Sequence, residues 1–202
     1  LIYVVDDDEA LRDSLVWMLE SSGYAVRAFD CAESFLEAYA LGMTGCIVLD
    51  VRMPGMSGLE LFEELGRRRC SLPVIFITGH GDVPMAVSAL KKGAADFIEK
   101  PFAERDMLRL IEQCLEQERA SRGKRRLEAD TARRLEHLTQ REREVLDLII
   151  AGKLNKQIAD VLGIGIKTVE VHRARVMEKM GANSLAELVQ HVVTVEPGAT
   201  GR

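Results

Sequence analysis

Five short runs of apolar, strand-forming residues alternate with amphipathic segments over residues 1 to about 118, and this alternation is the strongest constraint on the fold. The strand-like runs lie at about 2–6, 25–29, 46–50, 73–77 and 95–99, and the helical segments at about 9–22, 31–41, 57–69, 83–92 and from 103 onward. Regular βα alternation predicts a five-stranded, doubly wound parallel sheet with right-handed crossovers and helices on both faces.

Four of these runs end in polar side chains that can carry chemistry. The run 46–50 ends on Asp50, and the other three lead into Asp6-Asp7, Thr78 and Lys100. Because ligands of such sheets bind outside the carboxyl ends of the strands, we expect these five side chains to meet, although they are far apart in the sequence. Three carboxylates brought together repel one another and therefore imply a bound cation, and their oxygen atoms suit Mg²⁺.

An ammonium group and a hydroxyl beside such a metal ion would hold a phosphoryl group. Phosphoryl transfer depends mainly on positioning and charge neutralisation, and an aspartate can serve as the acceptor. Asp50, in a central strand, is the best candidate acceptor. Alternatively, Asp6, Asp7 and Asp8 only cap the first helix, where acidic residues favour the positive helix end. That interpretation suits one aspartate alone better than the five residues together.

Charge divides the chain into an acidic and a basic part. Residues 1–118 carry 11 basic and 21 acidic side chains, whereas residues 119–202 carry 16 basic and 11 acidic ones. This asymmetry indicates either an acidic site followed by a polyanion-binding module or ordinary surface charge. Residues 119–137 are highly charged, and we interpret them as a linker that extends the fifth helix, with Gly123 as the expected break.

From residue 138 to about 196 the apolar period is helical throughout. Thr139 and Glu142 form a capping-box pattern at the start of the first helix. Helices at about 155–162 and 167–180, separated by a turn with Gly163, predict a helix-turn-helix whose second helix enters a DNA major groove. On that second helix Val169, Val176 and Met180 are expected to face the core. The tail, 197–202, is expected to be disordered.

The strand-end motifs resemble the receiver domain of two-component response regulators over residues 1–118. They are Val5-Asp6-Asp7-Asp8, Leu49-Asp50-Val51-Arg52-Met53-Pro54-Gly55, Ile77-Thr78-Gly79-His80-Gly81-Asp82-Val83-Pro84 and Lys100-Pro101-Phe102. The resemblance implies a flavodoxin-like fold and phosphorylation of Asp50 by a partner histidine kinase. It further implies that Mg²⁺ is held by Asp6, Asp7, Asp50 and the backbone carbonyl of Arg52. Lys100 and Thr78 would contact the phosphoryl group, Phe97 would be an aromatic switch, and the Lys100–Pro101 bond would be cis.

Residues 138–196 resemble the LuxR-type DNA-binding domain, and the whole chain is similar to the FixJ subfamily of response regulators. The motifs are Leu138-Thr139-Gln140-Arg141-Glu142-Arg143-Glu144-Val145-Leu146, Asn155-Lys156-Gln157-Ile158-Ala159, Lys167-Thr168-Val169-Glu170-Val171-His172-Arg173 and Met177-Glu178-Lys179-Met180. The resemblance implies that Lys156, Lys167 and Thr168 lie near phosphates and that Glu170, Val171 and Ala174 lie near bases. Arg175 can reach phosphates or base edges.

Two residues of the predicted DNA-binding helix have alternative interpretations. Glu170 adds negative charge beside DNA, and it either accepts a hydrogen bond from a cytosine amino group or pairs with Arg173 or Arg175. His172 either contacts a phosphate or packs inside the small domain. We interpret His137 and His191 as surface residues without chemistry.

The sequence therefore predicts a transcriptional regulator, controlled by phosphorylation, that binds double-stranded promoter DNA. Phosphorylation is expected to produce a symmetric homodimer through Val87, Lys91, Lys92, Asp96, Asp106 and Arg109. The protein is not expected to be an enzyme beyond its own phosphoryl transfer and dephosphorylation. One alternative is a phosphorelay intermediate whose helical domain binds protein, and a minor alternative is a Mg²⁺-dependent phosphatase.

Compartment and cofactor classes follow from what the sequence lacks. The four cysteines are widely spaced, without a CxxC pair, so neither a disulfide framework nor a zinc site is indicated. No apolar run approaches the roughly 20 residues of a membrane span, and the first residues begin a strand without a signal-peptide pattern. We expect a cytoplasmic protein with no membrane partner.

Overall fold

A computed structural model describes residues 1–79 and 83–195. The chain divides into two compact units, an amino-terminal unit (Leu1–Ser121) and a carboxyl-terminal unit (Arg122–Arg202). The motif residues 80–82 and the tail predicted at 197–202 lie outside the described residues. Within the described residues, no helix is both long and apolar enough to span a membrane.

The amino-terminal unit alternates strands and helices in the predicted order. Its elements are β1 (Ile2–Val5), α1 (Glu9–Ser21), β2 (Val26–Phe29), α2 (Ala32–Ala38), β3 (Cys46–Asp50), α3 (Gly58–Arg67), β4 (Val74–Thr78), α4 (Val83–Lys91), β5 (Asp96–Glu99) and α5, which begins at Glu104. The sheet is parallel throughout, with the order β2-β1-β3-β4-β5. This is the flavodoxin-like order, so the predicted fold class is confirmed.

The strand register places the polar strand ends at one edge of the sheet. Val5 pairs with Leu49, so Asp6 follows β1 beside Asp50. Asp50 pairs in turn with Ile77, and Thr78 pairs with Glu99, the residue before Lys100. The carboxyl ends of β1, β3, β4 and β5 therefore lie side by side.

Both faces of the sheet are covered by helices. One apolar cluster joins the sheet to α2, α3 and α4 through Phe35, Leu61 and Ala89. The other joins it to α1 and α5 through Leu19 and Met107. Every residue of β1, β3 and β4 is buried, as expected for parallel strands with helices on both faces.

Helix α5 spans Glu104–Glu136 and continues through Gly123. The break predicted at Gly123 is wrong. A single glycine costs a helix about 1 kcal/mol, and the strong helix formers beside it, Arg122 and Lys124, favour continuation. The charged linker predicted at 119–137 is accordingly helical as far as Glu136.

As far as residue 195, the carboxyl-terminal unit contains four further helices, α6 (Gln140–Ile150), α7 (Asn155–Leu162), α8 (Ile166–Met180) and α9 (Leu185–Val195). The predicted capping box at Thr139 and Glu142 is present. Gly163, in the turn between α7 and α8, has a φ of +65°, a left-handed conformation that glycine adopts without strain. The three α8 residues predicted to face the core, Val169, Val176 and Met180, are fully buried there.

Candidate functional site

The edge formed by the strand ends brings two carboxylates and one ammonium group together. Lys100 Nζ lies 2.5 Å from Asp50 Oδ1 and 3.4 Å from Asp6 Oδ2. Asp6 and Asp50 are 1% and 6% exposed, so both carboxylates are almost removed from solvent. The other Asp50 oxygen, Oδ2, accepts a hydrogen bond of 2.7 Å from the backbone N–H of Arg52. Asp50 therefore lies beside a fixed positive charge, at the end of a central strand.

The electrostatics of this cluster show an excess of negative charge. Burial raises the pKa of Asp6, the backbone N–H of Asp8 opposes that rise, and the charge of Asp50 adds to it. Burial acts to lower the pKa of Lys100, but the hydrogen bond and charge of Asp50 outweigh burial and keep that pKa above its usual value. Lys100 is therefore a permanent cation held between two acids.

The predicted metal ligands are only partly assembled. Asp6 and Asp50 share the ammonium group of Lys100, whereas Asp7 is exposed at the same strand end. In residues 1–79 and 83–195, no group of three acidic, histidine or cysteine side chains lies close enough together to hold a metal ion. Two buried carboxylates with excess negative charge still match Mg²⁺, which takes few protein ligands and completes its shell with water and phosphate oxygens.

Thr78 ends β4, the strand next to β3 and its Asp50, and Phe97 lies on the following strand, β5, where it pairs with Phe76. Thr78 is fully buried, and its hydroxyl oxygen has no hydrogen-bond partner among the described residues. A buried hydroxyl without a partner is energetically unfavourable. A hydrogen bond from Thr78 to a group bound at the strand ends would remove that cost. Phe97 is half-buried against the apolar cluster that contains Phe76. The Lys100–Pro101 peptide bond is cis, which confirms that prediction.

Two contacts at this edge were not predicted from the sequence. A Cβ atom at Gly58 would overlap with the backbone oxygen of Asp50, so the first turn of α3 packs directly against the end of β3. A glycine in a first helical turn is a recognisable signal of such close approach. Arg12 Nη1 donates a 2.8 Å hydrogen bond to the backbone oxygen of Asp6, and no local pattern indicates that contact.

In the carboxyl-terminal unit, most of the predicted DNA-contact residues are exposed. Seven of the eight are exposed: Lys156, Lys167, Thr168, Glu170, Val171, Ala174 and Arg175. The eighth, His172, is half-buried, and its buried Nδ1 has no hydrogen-bond partner within the described residues. His172 therefore packs into the domain rather than lying free at the surface.

The intrahelical pairing considered for Glu170 is not present. Arg173 Nη1 instead donates a 3.2 Å hydrogen bond to Asn155 Oδ1, at the start of α7. Glu170 has no ion pair or hydrogen bond from its side chain to any part of the chain that the structure describes. Its carboxylate is exposed and unpaired on the outer face of α8.

The carboxyl end of α8 is held by the end of α5 and the start of α6. Arg134 Nη1 donates to the backbone oxygen of Met180 at 2.5 Å. Lys179 Nζ lies 2.6 Å from Glu142 Oε2 and 3.2 Å from the backbone oxygen of His137. These contacts fix the orientation of α8 within the domain. The sequence indicated only the capping role of Glu142.

The remaining two histidines differ from each other. His137 is exposed, as expected. His191 is only 17% exposed, and its Nδ1 is buried without a partner in the described structure, so its interpretation as a surface residue is wrong. Its ring lies on α9, which packs Leu188 and Val192 into the core.

The residues predicted to form a dimer surface are accessible in the single chain. Val87, Lys91, Lys92 and Arg109 are exposed, and Asp96 and Asp106 are half-buried. Lys92 is engaged with Glu63 at 2.6 Å. Asp96 accepts a hydrogen bond from the backbone N–H of Phe97, so this surface is connected to the predicted aromatic switch.

Both units match known protein families. Residues 2–112 match the response regulator receiver domain, and residues 136–192 match the bacterial regulatory proteins of the luxR family. A receiver joined to a luxR-family domain defines the class of protein: a two-component response regulator with a DNA-binding output domain.

Relatives match along almost the whole chain. The chain is 47% identical to the transcriptional regulatory protein FixJ of Bradyrhizobium diazoefficiens, over 94% of this chain and 92% of that protein. It is 48% identical to FixJ of Rhizobium meliloti, over 94% and 93% of the two chains. Among solved structures, the response regulator StyR matches with a TM-score of 0.87 at 47% identity, covering 95% and 96% of the chains. Full-length FixJ from B. japonicum matches with a TM-score of 0.61 at 45% identity, covering 97% of each.

The chain belongs to the FixJ-like family of response regulators and is a DNA-binding transcriptional regulator. The luxR-family match of the helical unit favours DNA binding over the alternative in which that unit only binds protein as part of a relay.

Proposed function

We propose that this regulator is switched by phosphorylation of Asp50. The proposal rests on the position of the Asp50 carboxylate at the carboxyl edge of the sheet, where Lys100 Nζ lies 2.5 Å from it. At the same edge, the buried hydroxyl of Thr78 has no hydrogen-bond partner among the described residues. One Asp50 oxygen attacks the phosphorus of a phosphohistidine on a partner kinase. The N–P bond breaks, the imidazole leaves, and an acyl phosphate forms.

Lys100 and Thr78 would stabilise the phosphorylated state. The ammonium group compensates the charge that the phosphoryl group adds, and the Thr78 hydroxyl donates to one of its oxygens. Because Lys100 already contacts Asp6 and Asp50, phosphorylation would change the partners of a half-buried cation.

Magnesium fits this site as the cofactor. Asp6, Asp50 and the backbone carbonyl of Arg52 would hold the ion, with Asp7 near enough in the chain to contribute through its exposed carboxylate. Bound Mg²⁺ would neutralise charge on the phosphoryl oxygens. Burial raises the pKa of Asp6, and the charge of Asp50 adds to that rise, so a cation bound between the two carboxylates would favour their ionised forms.

Phosphorylation would then be transmitted to a dimer surface. Movement of Thr78 toward the phosphoryl group frees space next to Phe97, whose backbone N–H is bonded to Asp96. We expect the surface formed by Val87, Lys91, Lys92, Asp96, Asp106 and Arg109 to pair symmetrically, which would match a two-fold promoter site. The protein would act in the cytoplasm, where the kinase phosphodonor and promoter DNA are both accessible, with no chemistry beyond its own phosphoryl transfer and hydrolysis.

The test is phosphorylation by a small-molecule donor. Incubation with acetyl phosphate and Mg²⁺ is expected to add one phosphoryl group to the wild type and none to Asp50→Asn, as measured by intact mass. Asp13→Asn removes an exposed acid from α1 and serves as the matched control. Equal phosphorylation of Asp50→Asn would contradict the assignment.

Dimerisation is tested separately by sedimentation. Beryllofluoride, a phosphoryl mimic, is expected to convert the wild type from monomer to dimer and to leave Asp50→Asn monomeric. A wild type that stays monomeric with beryllofluoride bound would refute the dimer model while leaving phosphorylation of Asp50 intact.

A further inference from the structure

The outer face of α8 carries one feature that phosphate binding does not explain. Lys167, Glu170, Val171 and Ala174 follow the helical period and are all exposed, so they share one face. The exposed ammonium group of Lys167 makes this face suitable for a polyanion. Glu170 places a carboxylate in the middle of it.

That carboxylate is free. The nearest arginine in the sequence, Arg173, is bonded to Asn155 at 3.2 Å, and Glu170 has no partner within residues 1–79 and 83–195. An unpaired exposed carboxylate next to DNA phosphates is repelled by them, and salt screens that repulsion only in part. Glu170 therefore weakens binding to DNA in general, unless a base compensates for that repulsion.

The hydrogen-bonding groups in the major groove limit which base can compensate for the repulsion between Glu170 and the phosphates. An ionised carboxylate only accepts hydrogen bonds, and the donors in the groove are the amino groups of cytosine and adenine. Adenine presents its N7 acceptor next to its amino group, which repels a carboxylate, whereas guanine and thymine present acceptors at their own edges. Cytosine alone offers a donor without an adjacent acceptor on the same base.

We propose that Glu170 is a specificity-determining residue that accepts a hydrogen bond from the amino group of a cytosine in each promoter half-site. The inference rests on the proposed DNA-binding role of α8. Glu170 rejects sequences without that cytosine, because its unpaired charge then faces the phosphates and the base acceptors. Lys156 and Lys167 raise the affinity for DNA of any sequence. The charge of Glu170 lowers the affinity for sites that lack the cytosine.

The experiment compares wild type, Glu170→Gln and Glu170→Ala as full chains with beryllofluoride and Mg²⁺. Each protein selects duplexes from a random pool, and affinities are then measured for the selected duplex with single base-pair replacements. For the wild type we expect a C·G pair in each half-site whose replacement weakens binding about 5- to 150-fold. Glutamine both donates and accepts, so Glu170→Gln is expected to prefer adenine there. Glu170→Ala is expected to show no preference, and both variants should bind random DNA more tightly.

Glu178→Gln is the matched control. Glu178 is an exposed acid in the last turns of the same helix, and its replacement changes the charge by the same amount. It should tighten binding to random DNA without changing the base preference. If Glu170→Gln kept the cytosine preference, the inference would be overturned while DNA binding by α8 stood. If none of the proteins bound DNA, the DNA-binding role would itself be refuted, and the inference with it.

Discussion

Replacement of Glu142 by glutamine tests how α8 is held in the carboxyl-terminal unit. Glu142 is 3% exposed in its side chain, and its Oε2 lies 2.6 Å from Lys179 Nζ and 2.8 Å from the backbone nitrogen of Thr139. The hydrogen bond from Lys179, followed by that from Thr139, lowers the pKa of Glu142 from 4.5 to about 2. Glutamine keeps an oxygen acceptor for the cap but removes the charge.

The pKa shift of Glu142 sets the magnitude of the effect. A carboxyl whose pKa falls from 4.5 to about 2 stabilises the folded state by about 3 kcal/mol at neutral pH. The side chain of Lys179 is 35% exposed, so solvent screens part of the attraction. We therefore expect Glu142→Gln to reduce the free energy of unfolding of this unit by about 2 kcal/mol.

The dependence on pH has a definite sign. The folded pKa lies below the unfolded one, so this stabilisation is complete above the unfolded pKa of 4.5 and is lost as the pH falls toward about 2. Wild type should lose stability over that interval. Glu142→Gln should lose less, and the two proteins should become similar near the lower limit.

The assay is hydrogen exchange of the full chain, measured by mass spectrometry. Peptides from α6 and α8 report the stability of the carboxyl-terminal unit, and peptides from β1 and β3 provide an internal reference. Glu144→Gln is the control, since Glu144 pairs with Arg141 on the same helix at 2.6 Å with both side chains more than a third exposed. That change should cost no more than about 0.5 kcal/mol. Equal protection in the two variants, or unchanged acid sensitivity in Glu142→Gln, would refute the reasoning.

Three further predictions concern close contacts. Gly58→Ala forces a methyl group against the backbone oxygen of Asp50, so urea unfolding should show a loss of about 2 kcal/mol, and acetyl phosphate should phosphorylate the variant more slowly. Lys100→Met removes the cation between Asp6 and Asp50, so carboxyl NMR titration should show a further rise in the pKa of Asp6. Gly181→Ala combines a φ of +62° with a collision against the guanidinium group of Arg134, and hydrogen exchange of α8 should show a loss of more than about 1 kcal/mol.

Each of these has a matched control. Gly66→Ala lies in the same helix as Gly58 with open space around the added methyl group, so it should stabilise that helix by up to about 1 kcal/mol. Lys91→Met changes an exposed lysine and should leave the pKa of Asp6 unchanged. Gly163→Ala has a similar φ of +65° but no neighbour, so a loss equal to that of Gly181→Ala would remove any role for Arg134.

Local patterns in the sequence were sufficient for the elements and their order. Buried parallel strands consist of continuous apolar residues, and amphipathic helices repeat every three to four residues, so both can be recognised without tertiary information. The rule that ligands bind at the carboxyl ends of such strands was enough to select Asp50, Thr78 and Lys100 as neighbours. The capping box at Thr139 and Glu142 is likewise a local signal.

The tertiary structure decided which of these side chains touch. Lys100 lies between Asp6 and Asp50 while Asp7 stays exposed, because the register of β1, β3, β4 and β5 sets where their carboxyl ends lie. Arg173 bonds to Asn155 and leaves Glu170 without an ion pair among the described residues, although the sequence also permitted a pair within α8. Helix α5 continues through Gly123, although the low helix propensity of that one residue predicted a break. Residues adjacent in sequence determine the period of a segment, but partners far apart in sequence meet only when the whole fold places their backbones within reach.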